Sequence, residues 1–297
     1  AFPAAVAKQW SEQKLTVWYT TPSTLILMLT KGGLAMVDLS SLRLLLFAGE
    51  VFPVKYLRAL MELAPQARFA NLYGPTETNV CTWYEVSPIP EGNTPVPIGR
   101  ACSNCELFIL DEALKLVADG QVGELWVSGD TVMQGYWGRP ERTAQTLKLI
   151  EPRPGVNVRA YNTGDLARIR TDGNLEFLGR RDHQIKTRGY RVELGEIESV
   201  LTSHPAVDEA VVLAIPDEMI GHRLAAVVVV RQNAELSKAE LQQHCANALP
   251  RYMVPGAVEF RPDLPRTSSG KVDRQALACS WASAGRNFTR EDLWQQN

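Results

Sequence analysis

Residues 42–73 read LRLLLFAGEVFPVKYLRALMELAPQARFANLY, and their hydrophobic pattern predicts a β-strand, an α-helix and a second β-strand. The run 42–48 is apolar except for one arginine, which is typical of a buried strand. Residues 54–64 carry apolar side chains at helical spacing, and residues 68–73 return to a short strand-like run. Because a β-α-β order favours a parallel α/β layer, this stretch decides the fold class of the first part of the chain.

The pattern changes twice after this stretch. From about Ile98 to Leu178 short strand-like pieces alternate with Gly, Asp and Asn turns, which predicts a β-rich subdomain. Residues 192–204 and 237–250 have helical patterns, the second with Ser237 as a candidate N-cap, and strand-like runs lie between and after them. We therefore predict an α/β and β-rich part over residues 1–181, followed by a small α+β domain over 182–297.

Composition excludes several classes of function. The chain has 297 residues, 45% hydrophobic and 22% charged, with a net charge of −2. These values are typical of a soluble globular protein and favour neither nucleic acid nor a membrane as partner. The five cysteines are scattered, which fits reduced thiols in a cytoplasmic protein. Cys102 and Cys105 form a CxxC pair, but no second pair follows at zinc-site spacing, so a metal or redox use is the weaker alternative.

Polar, glycine-containing stretches interrupt the apolar pattern at five places. Each is by itself compatible with a turn, a flexible loop or a solvated charged face. They are YGPTET (73–78), GELWVSGDTVMQGYW (123–137), YNTGDL (161–166), GRRDHQIKTRGYRVELGEIE (179–198) and RTSSGKVDR (266–274). With LPRYMVP (249–255) as a sixth, their order and spacing resemble the later conserved blocks of the adenylate-forming superfamily, specifically the adenylation domains of nonribosomal peptide synthetases.

The resemblance implies the C-terminal part of the adenylate-forming fold and a reaction in two steps. In this family an amino-acid carboxylate attacks the α-phosphate of ATP and gives an aminoacyl-adenylate and pyrophosphate. The aminoacyl group then passes from the adenylate to the phosphopantetheine thiol of a carrier protein. Two anions must approach each other in the first step, so cations are required at the reacting centre. The implied cofactors are ATP and Mg²⁺, with Glu77 as the metal ligand, which agrees with the preference of magnesium for carboxylate and phosphate oxygens.

The resemblance also implies roles for individual residues. Thr76 corresponds to the hydroxyl at the α-phosphate, Tyr73 to the ring that stacks on adenine, and Lys271 to the mobile catalytic lysine. Tyr73 in plain core packing and Phe177 as an ordinary strand residue are the alternatives at those two positions. The other implied residues are Asp165 for the ribose hydroxyls, Arg180 for ribose and phosphate, Phe177 near the nucleotide, Asp182 as the hinge of the small domain, and Lys186 to Gly189 as the loop that guides the thiol.

The substrate pocket is expected to be small and almost wholly apolar. Its implied wall consists of Tyr19, Leu46, Ala48, Leu72, Val80 and Cys81, together with Lys271. Because burying an unpaired charge costs several kcal/mol, this wall favours a small aliphatic side chain. The residues resemble the pocket of the L-proline-activating members of the family. Valine, leucine or a small cyclic analogue are the alternatives.

The triphosphate-binding loop and the aspartate that pairs with the substrate amine lie, in this family, before the region that the resemblance covers. The resemblance therefore implies that a missing N-terminal part of the same enzyme completes the site, and that this segment alone is inactive. An acyl- or aryl-CoA ligase of the same superfamily, and a non-catalytic binding chain, are the alternative functions.

Overall fold

The computed structural model describes residues 3–181, 184–267 and 272–283. The chain divides into two compact units, Ala1–Asp182 and His183–Asn297. None of the helices in these described ranges combines the length and the hydropathy that a membrane span requires.

The described part of the first unit contains four α-helices and two five-stranded sheets. Its elements are α1 (Pro3–Glu12), β1 (Val17–Thr20), α2 (Pro22–Lys31), β2 (Leu44–Ala48), α3 (Val54–Leu63), β3 (Arg68–Tyr73), β4 (Thr82–Glu85), β5 (Arg100–Ala101), β6 (Cys105–Leu110), β7 (Gly123–Gly129), α4 (Pro140–Thr146), β8 (Leu147–Arg153), β9 (Val156–Ile169) and β10 (Leu175–Arg180).

The first sheet has the strand order β1-β2-β3-β4-β5. Strands β1, β2 and β3 are parallel, and β4 and β5 continue the sheet in antiparallel pairs. Helix α3 connects β2 to β3 and buries Val54, Leu57, Leu60 and Met61 along one face, as its helical spacing predicts. The β-α-β prediction for residues 42–73 is therefore confirmed, and the antiparallel extension by β4 and β5 is an addition to it.

The second sheet has the order β10-β9-β7-β6, with β8 also paired to β9, and all pairs are antiparallel. Strand β9 runs through 14 residues, so YNTGDL (161–166) is part of a strand and does not interrupt one, contrary to our expectation. The physical reason is the alternation of side chains along a strand. Tyr161, Thr163 and Asp165 are buried on one face, where the Thr163 hydroxyl donates to the carbonyl oxygen of Leu125 and Asp165 accepts from Tyr73.

The second unit consists of a hairpin and a three-stranded sheet with helices. Its elements are β11 (Gln184–Thr187), β12 (Tyr190–Glu193), α5 (Leu194–Thr202), β13 (Val207–Asp217), β14 (Gly221–Val230), α6 (Lys238–Ala248), β15 (Ala257–Arg261) and α7 (Arg274–Ser283). Successive residues of β13 point to opposite faces, so Val212 packs with α5 and α6 while Val211 packs with α7.

Two helix boundaries show how local sequence acts in this unit. Ser237 caps α6, and with Glu240 it forms a reciprocal capping box, as the serine predicts. Helix α5 begins at Leu194, two residues later than the helical pattern predicts. Its expected first residues instead pair with β11 as strand β12, because the tertiary pairing of a hairpin outweighs a weak local helical preference.

Candidate functional site

The stretch 73–81 forms a tight closed loop between β3 and β4. The amide of Cys81 donates to the carbonyl oxygen of Tyr73 at 2.9 Å, which brings the two ends of the loop together. Gly74 permits this closure, because a Cβ atom there would lie 1.7 Å from the carbonyl oxygen of Asn79. Asn79 has a φ of 55°, a left-handed conformation that asparagine tolerates better than most residues. The backbone of this loop thus requires glycine at position 74 and favours asparagine at position 79.

Tyr73 and Arg180 meet at the carboxylate of Asp165. The Tyr73 hydroxyl donates to Oδ2 of Asp165 and the Arg180 guanidinium donates to Oδ1. Asp165 is only 3% exposed, and its amide donates to the hydroxyl of Thr163 at 3.0 Å. Burial raises the pKa of the Tyr73 phenol well above its ordinary value, and the neighbouring carboxylate charge raises it further. Tyr73 therefore stays protonated and acts as a donor to Asp165.

Phe177 lies beside the same cluster, with its ring centroid 6.3 Å from that of Tyr73 and the two planes tilted by 40°. Each oxygen of a carboxylate has two lone pairs, so Asp165 can accept donors in addition to Tyr73 and Arg180. Tyr73 itself is 6% exposed and belongs to a buried apolar cluster. The structure thus brings together Tyr73, Asp165, Phe177 and Arg180, the four residues that sequence assigns to the nucleotide.

Glu77 is a buried carboxylate, 9% exposed, on the far side of the same loop. Its Oε1 accepts a hydrogen bond of 2.7 Å from the hydroxyl of Tyr136, which the sequence analysis did not single out. Tyr136 lies in the GYW end of the quoted stretch 123–137, so its motif was recognised but its role was not. Thr76, next to Glu77, is exposed. A hydroxyl and a carboxylate are therefore available together at this end of the loop.

The described residues contain no group of three or more His, Cys, Asp or Glu side chains that could hold a metal ion by themselves. A fully protein-bound metal is thus not supported in that part of the chain. The donors present fit a hard cation that takes one carboxylate from the protein and its other ligands from phosphate and water, which is common for magnesium.

The implied substrate wall occupies one face of the first sheet. Tyr19 is in register with Leu46, and Ala48 is in register with Leu72, so these four side chains share that face. Tyr19 is 58% exposed, and the other three are partly buried. A cavity of about 450 Å³ adjoins the face, and its lining consists of Tyr19, Ala48, Gly74, Pro75, Thr76, Asn79 and Val80. Three implied wall residues and Thr76 thus line one cavity.

Cys81 differs from the other residues of the implied wall. Its side chain is fully buried, and its Sγ lies 3.6 Å from the carbonyl oxygen of Tyr73. Burial raises the pKa of this thiol to about 12, so it is neutral at physiological pH. Cys81 belongs to the buried layer of the β-rich part and is absent from the cavity lining.

The remaining implied residues belong to the second unit or its boundary. Lys186 lies in β11, and Arg188 and Gly189 form the following turn with φ values of 52° and 82°, as a type I′ hairpin turn requires. Hydrogen bonds hold this turn, including one of 2.9 Å from the Arg188 amide to the carbonyl oxygen of Ile220. Lys271 and Asp182 lie outside the residues that the structure describes.

Two family models match the sequence. Residues 1–137 match the AMP-binding enzyme family, and residues 196–271 match the AMP-binding enzyme C-terminal domain. The chain belongs to the AMP-binding enzymes, and the resemblance to adenylate-forming enzymes is confirmed.

Two curated relatives share one ligase name within this class of enzymes. The chain is 44% identical over 268 residues to an L-proline–(L-prolyl-carrier protein) ligase of Pseudomonas fluorescens, covering 90% of this chain and 51% of the relative. A ligase of the same name from Streptomyces coelicolor is 42% identical over 277 residues, covering 92% of this chain and 50% of the relative. The chain spans about half the length of these relatives.

A solved structure confirms the predicted fold. An amide bond synthetase from Marinactinospora thermotolerans superimposes with a TM-score of 0.82 and 29% sequence identity. The match covers 94% of this chain and 55% of that protein. The chain therefore has the architecture of part of an adenylate-forming enzyme.

Proposed function

We propose that the full-length protein carrying this chain activates an amino acid with ATP and loads it onto the phosphopantetheine thiol of a carrier protein. The observation that carries this proposal is the loop 73–81, which joins the buried Tyr73–Asp165–Arg180 cluster to a cavity with Tyr19, Ala48 and Val80 in its wall. A nucleotide site and a substrate site that share one short loop suit a reaction between the two bound molecules.

On the nucleotide side, Asp165 would accept the ribose hydroxyls, for which an acceptor-only carboxylate is suited. Arg180 would hold that carboxylate in place and contribute positive charge near the phosphates. Tyr73 and Phe177 would form the apolar surface for adenine, and Thr76 would donate to the α-phosphate. Glu77 would hold Mg²⁺, which when bound offsets the negative charge of the phosphate oxygens.

We propose L-proline as the amino acid. The cavity walls contributed by Tyr19, Ala48 and Val80 offer no charged partner, which disfavours acidic and basic side chains. The two relatives described above carry L-proline in their names, and they are 42–44% identical to this chain. Valine, leucine and small cyclic analogues are the competing substrates, since one methylene changes binding in an apolar pocket by only about 1–3 kcal/mol.

The second unit would serve as a mobile lid with Asp182 as the hinge. Lys271 would reach the substrate carboxylate and the α-phosphate in the first step, because a long flexible side chain suits a transient contact. The loop from Lys186 to Gly189 would guide the phosphopantetheine thiol in the second step. Two half-reactions at one site call for two arrangements of such a lid.

We further propose that an N-terminal part of the same enzyme completes the site. Apolar side chains on one face of the first sheet remain exposed in this chain: Val17 by 49%, Tyr19 by 58% and Trp83 by 46%. Exposed apolar surface of this kind is typical of an interface. The coverage of only half of each relative agrees with such a partner segment.

The decisive experiment is amino-acid-dependent ATP–pyrophosphate exchange with the full-length protein and each of the twenty amino acids. We expect the strongest exchange with L-proline. Lys271→Ala should lower the exchange rate at least 100-fold, whereas the control Lys115→Ala, at an exposed lysine, should not. A stronger signal for another amino acid would refute the proline assignment. No exchange at all, with turnover of carboxylic acids and CoA instead, would favour a CoA ligase.

A further inference from the structure

The segment Met133–Tyr136 holds Glu77 by both its backbone and its side chain. The amide of Met133 donates to the carbonyl oxygen of Glu77 at 2.8 Å, and the hydroxyl of Tyr136 donates to Oε1 at 2.7 Å. These two contacts join residues almost sixty positions apart in the sequence. A glutamate side chain has three rotatable bonds, so a donor on one oxygen removes much of its freedom.

Tyr136 is in turn held from several directions. The guanidinium of Arg142 lies 5.0 Å from the centre of the Tyr136 ring, a cation–π geometry. The Tyr136 amide donates to the hydroxyl of Thr143 at 2.9 Å. Arg159 donates to the carbonyl oxygens of residues 133 and 134 at 2.9 and 2.7 Å. The phenol that contacts Glu77 is therefore fixed by its own surroundings as well.

A second tyrosine lies behind the first. Tyr161 is 1% exposed and its side chain forms a hydrogen bond with Tyr136. The hydroxyl of Tyr136 is the donor in its contact with Glu77, and the carboxylate oxygen is the acceptor.

Strand β9 connects this arrangement to the nucleotide side. Tyr161, Thr163 and Asp165 are alternate residues of β9 and share its buried face. At one end of this face Asp165 accepts from Tyr73, and at the other end Tyr161 contacts Tyr136. Tyr73 begins the loop 73–81 and Glu77 lies in its middle, so one strand supports two parts of that loop.

We propose that Tyr136, supported by Tyr161, is a positioning residue that gives the Glu77 carboxylate one orientation toward a divalent cation. This inference rests on the proposed function, in which Glu77 is the magnesium ligand. Partners that hydrogen-bond to a metal-ligating side chain typically change metal affinity by about 10–100-fold when they are removed. Tyr136 touches neither substrate nor nucleotide in this proposal, and acts only through Glu77.

The test compares Tyr136→Phe, which removes only the hydroxyl, with Tyr161→Phe and with the wild type. In pyrophosphate exchange we expect Tyr136→Phe to raise the Mg²⁺ concentration for half-maximal rate by about 10-fold, with kcat at saturating Mg²⁺ within about 3-fold of wild type. Tyr161→Phe should shift the Mg²⁺ requirement in the same direction by a smaller factor. Tyr56→Phe, in helix α3, is the matched control and should leave the requirement unchanged.

Calorimetric binding of a non-hydrolysable ATP analogue with and without Mg²⁺ gives a readout independent of turnover. We expect Tyr136→Phe to weaken binding only in the presence of Mg²⁺. Equal weakening in both conditions would show a general structural role and overturn the proposal, as would a Mg²⁺ dependence identical to that of wild type. If the wild type shows no exchange with any amino acid, the proposed function fails, while the calorimetric comparison still decides the role of Tyr136.

Discussion

The nucleotide side and the substrate side of the candidate site are built in opposite ways. Asp165 and Tyr73 are 3% and 6% exposed, and the Asp165 carboxylate accepts from both Tyr73 and Arg180, whereas Tyr19 on the substrate side is 58% exposed. The first region is a closed polar network, and the second is a half-open apolar face. In the first region the residues proposed to bind the nucleotide also stabilise the fold. In the second region the residues proposed to bind the substrate contribute little to stability.

The physical reason lies in the cost of buried polar groups. A buried carboxylate must keep its donors, because removing one partner of a buried charge pair leaves the other charge without compensation. An apolar side chain at the edge of a cavity has no such requirement, so its replacement changes shape more than it changes stability. Three substitutions or modifications test this contrast, in order of decreasing effect.

The largest effect is expected from Asp165→Asn. The neutral amide keeps an acceptor for Tyr73 but loses the charge that pairs with Arg180. We expect the free energy of unfolding to fall by about 3 kcal/mol and exchange activity to fall by at least 100-fold, measured by urea titration and pyrophosphate exchange. Asp119→Asn, an exposed aspartate, is the control and should stay within about 0.5 kcal/mol of wild type. A stable but inactive Asp165→Asn would separate chemistry from stability and break the comparison.

An intermediate effect is expected from Val80→Ala on the substrate side. The smaller side chain enlarges the cavity, so the ratio of kcat/KM for leucine to that for proline should rise by about 10-fold. The free energy of unfolding should change by less than about 1.5 kcal/mol, because Val80 is only partly buried.

Val122→Ala, at a residue 52% exposed and absent from the cavity lining, is the control for Val80→Ala and should leave the ratio unchanged. If Val80→Ala destabilised the protein as much as Asp165→Asn, the two regions would not differ as described.

The smallest effect concerns the thiols. Because the pKa of Cys81 is raised to about 12, iodoacetamide at pH 8 should leave it unmodified while it labels the exposed Cys279, as read by peptide mass spectrometry. A thiol whose pKa is higher in the folded state than its ordinary value of 9.0 makes stability fall as pH rises above about 9, and Cys81→Ala should weaken that dependence. Labelling of folded Cys81 at pH 8 would show that its thiol is accessible, as the half-open apolar face is, and would contradict its burial.

Local sequence predicted the elements well where a signal lies within a few residues. The helix of residues 54–63 follows from apolar spacing, and the start of α6 follows from Ser237. The contacts of the candidate site required more. Tyr73 and Asp165 are 92 positions apart, and no local pattern indicates that the phenol donates to that carboxylate. Tyr136 was missed for the same reason, since its importance depends on Glu77, which lies in another part of the fold.

The sequence by itself determined the class of the protein, through its ordered motifs and its hydrophobic periods, because both are properties of neighbouring residues. The closed form of the loop 73–81 was not predicted, although Gly74 and Asn79 meet backbone requirements there that few residues satisfy. Only the tertiary structure decided that YNTGDL is a strand, and that Tyr161 and Asp165 on that strand support two parts of one loop. These contacts join distant segments, and burial gives them their strength by removing competing water.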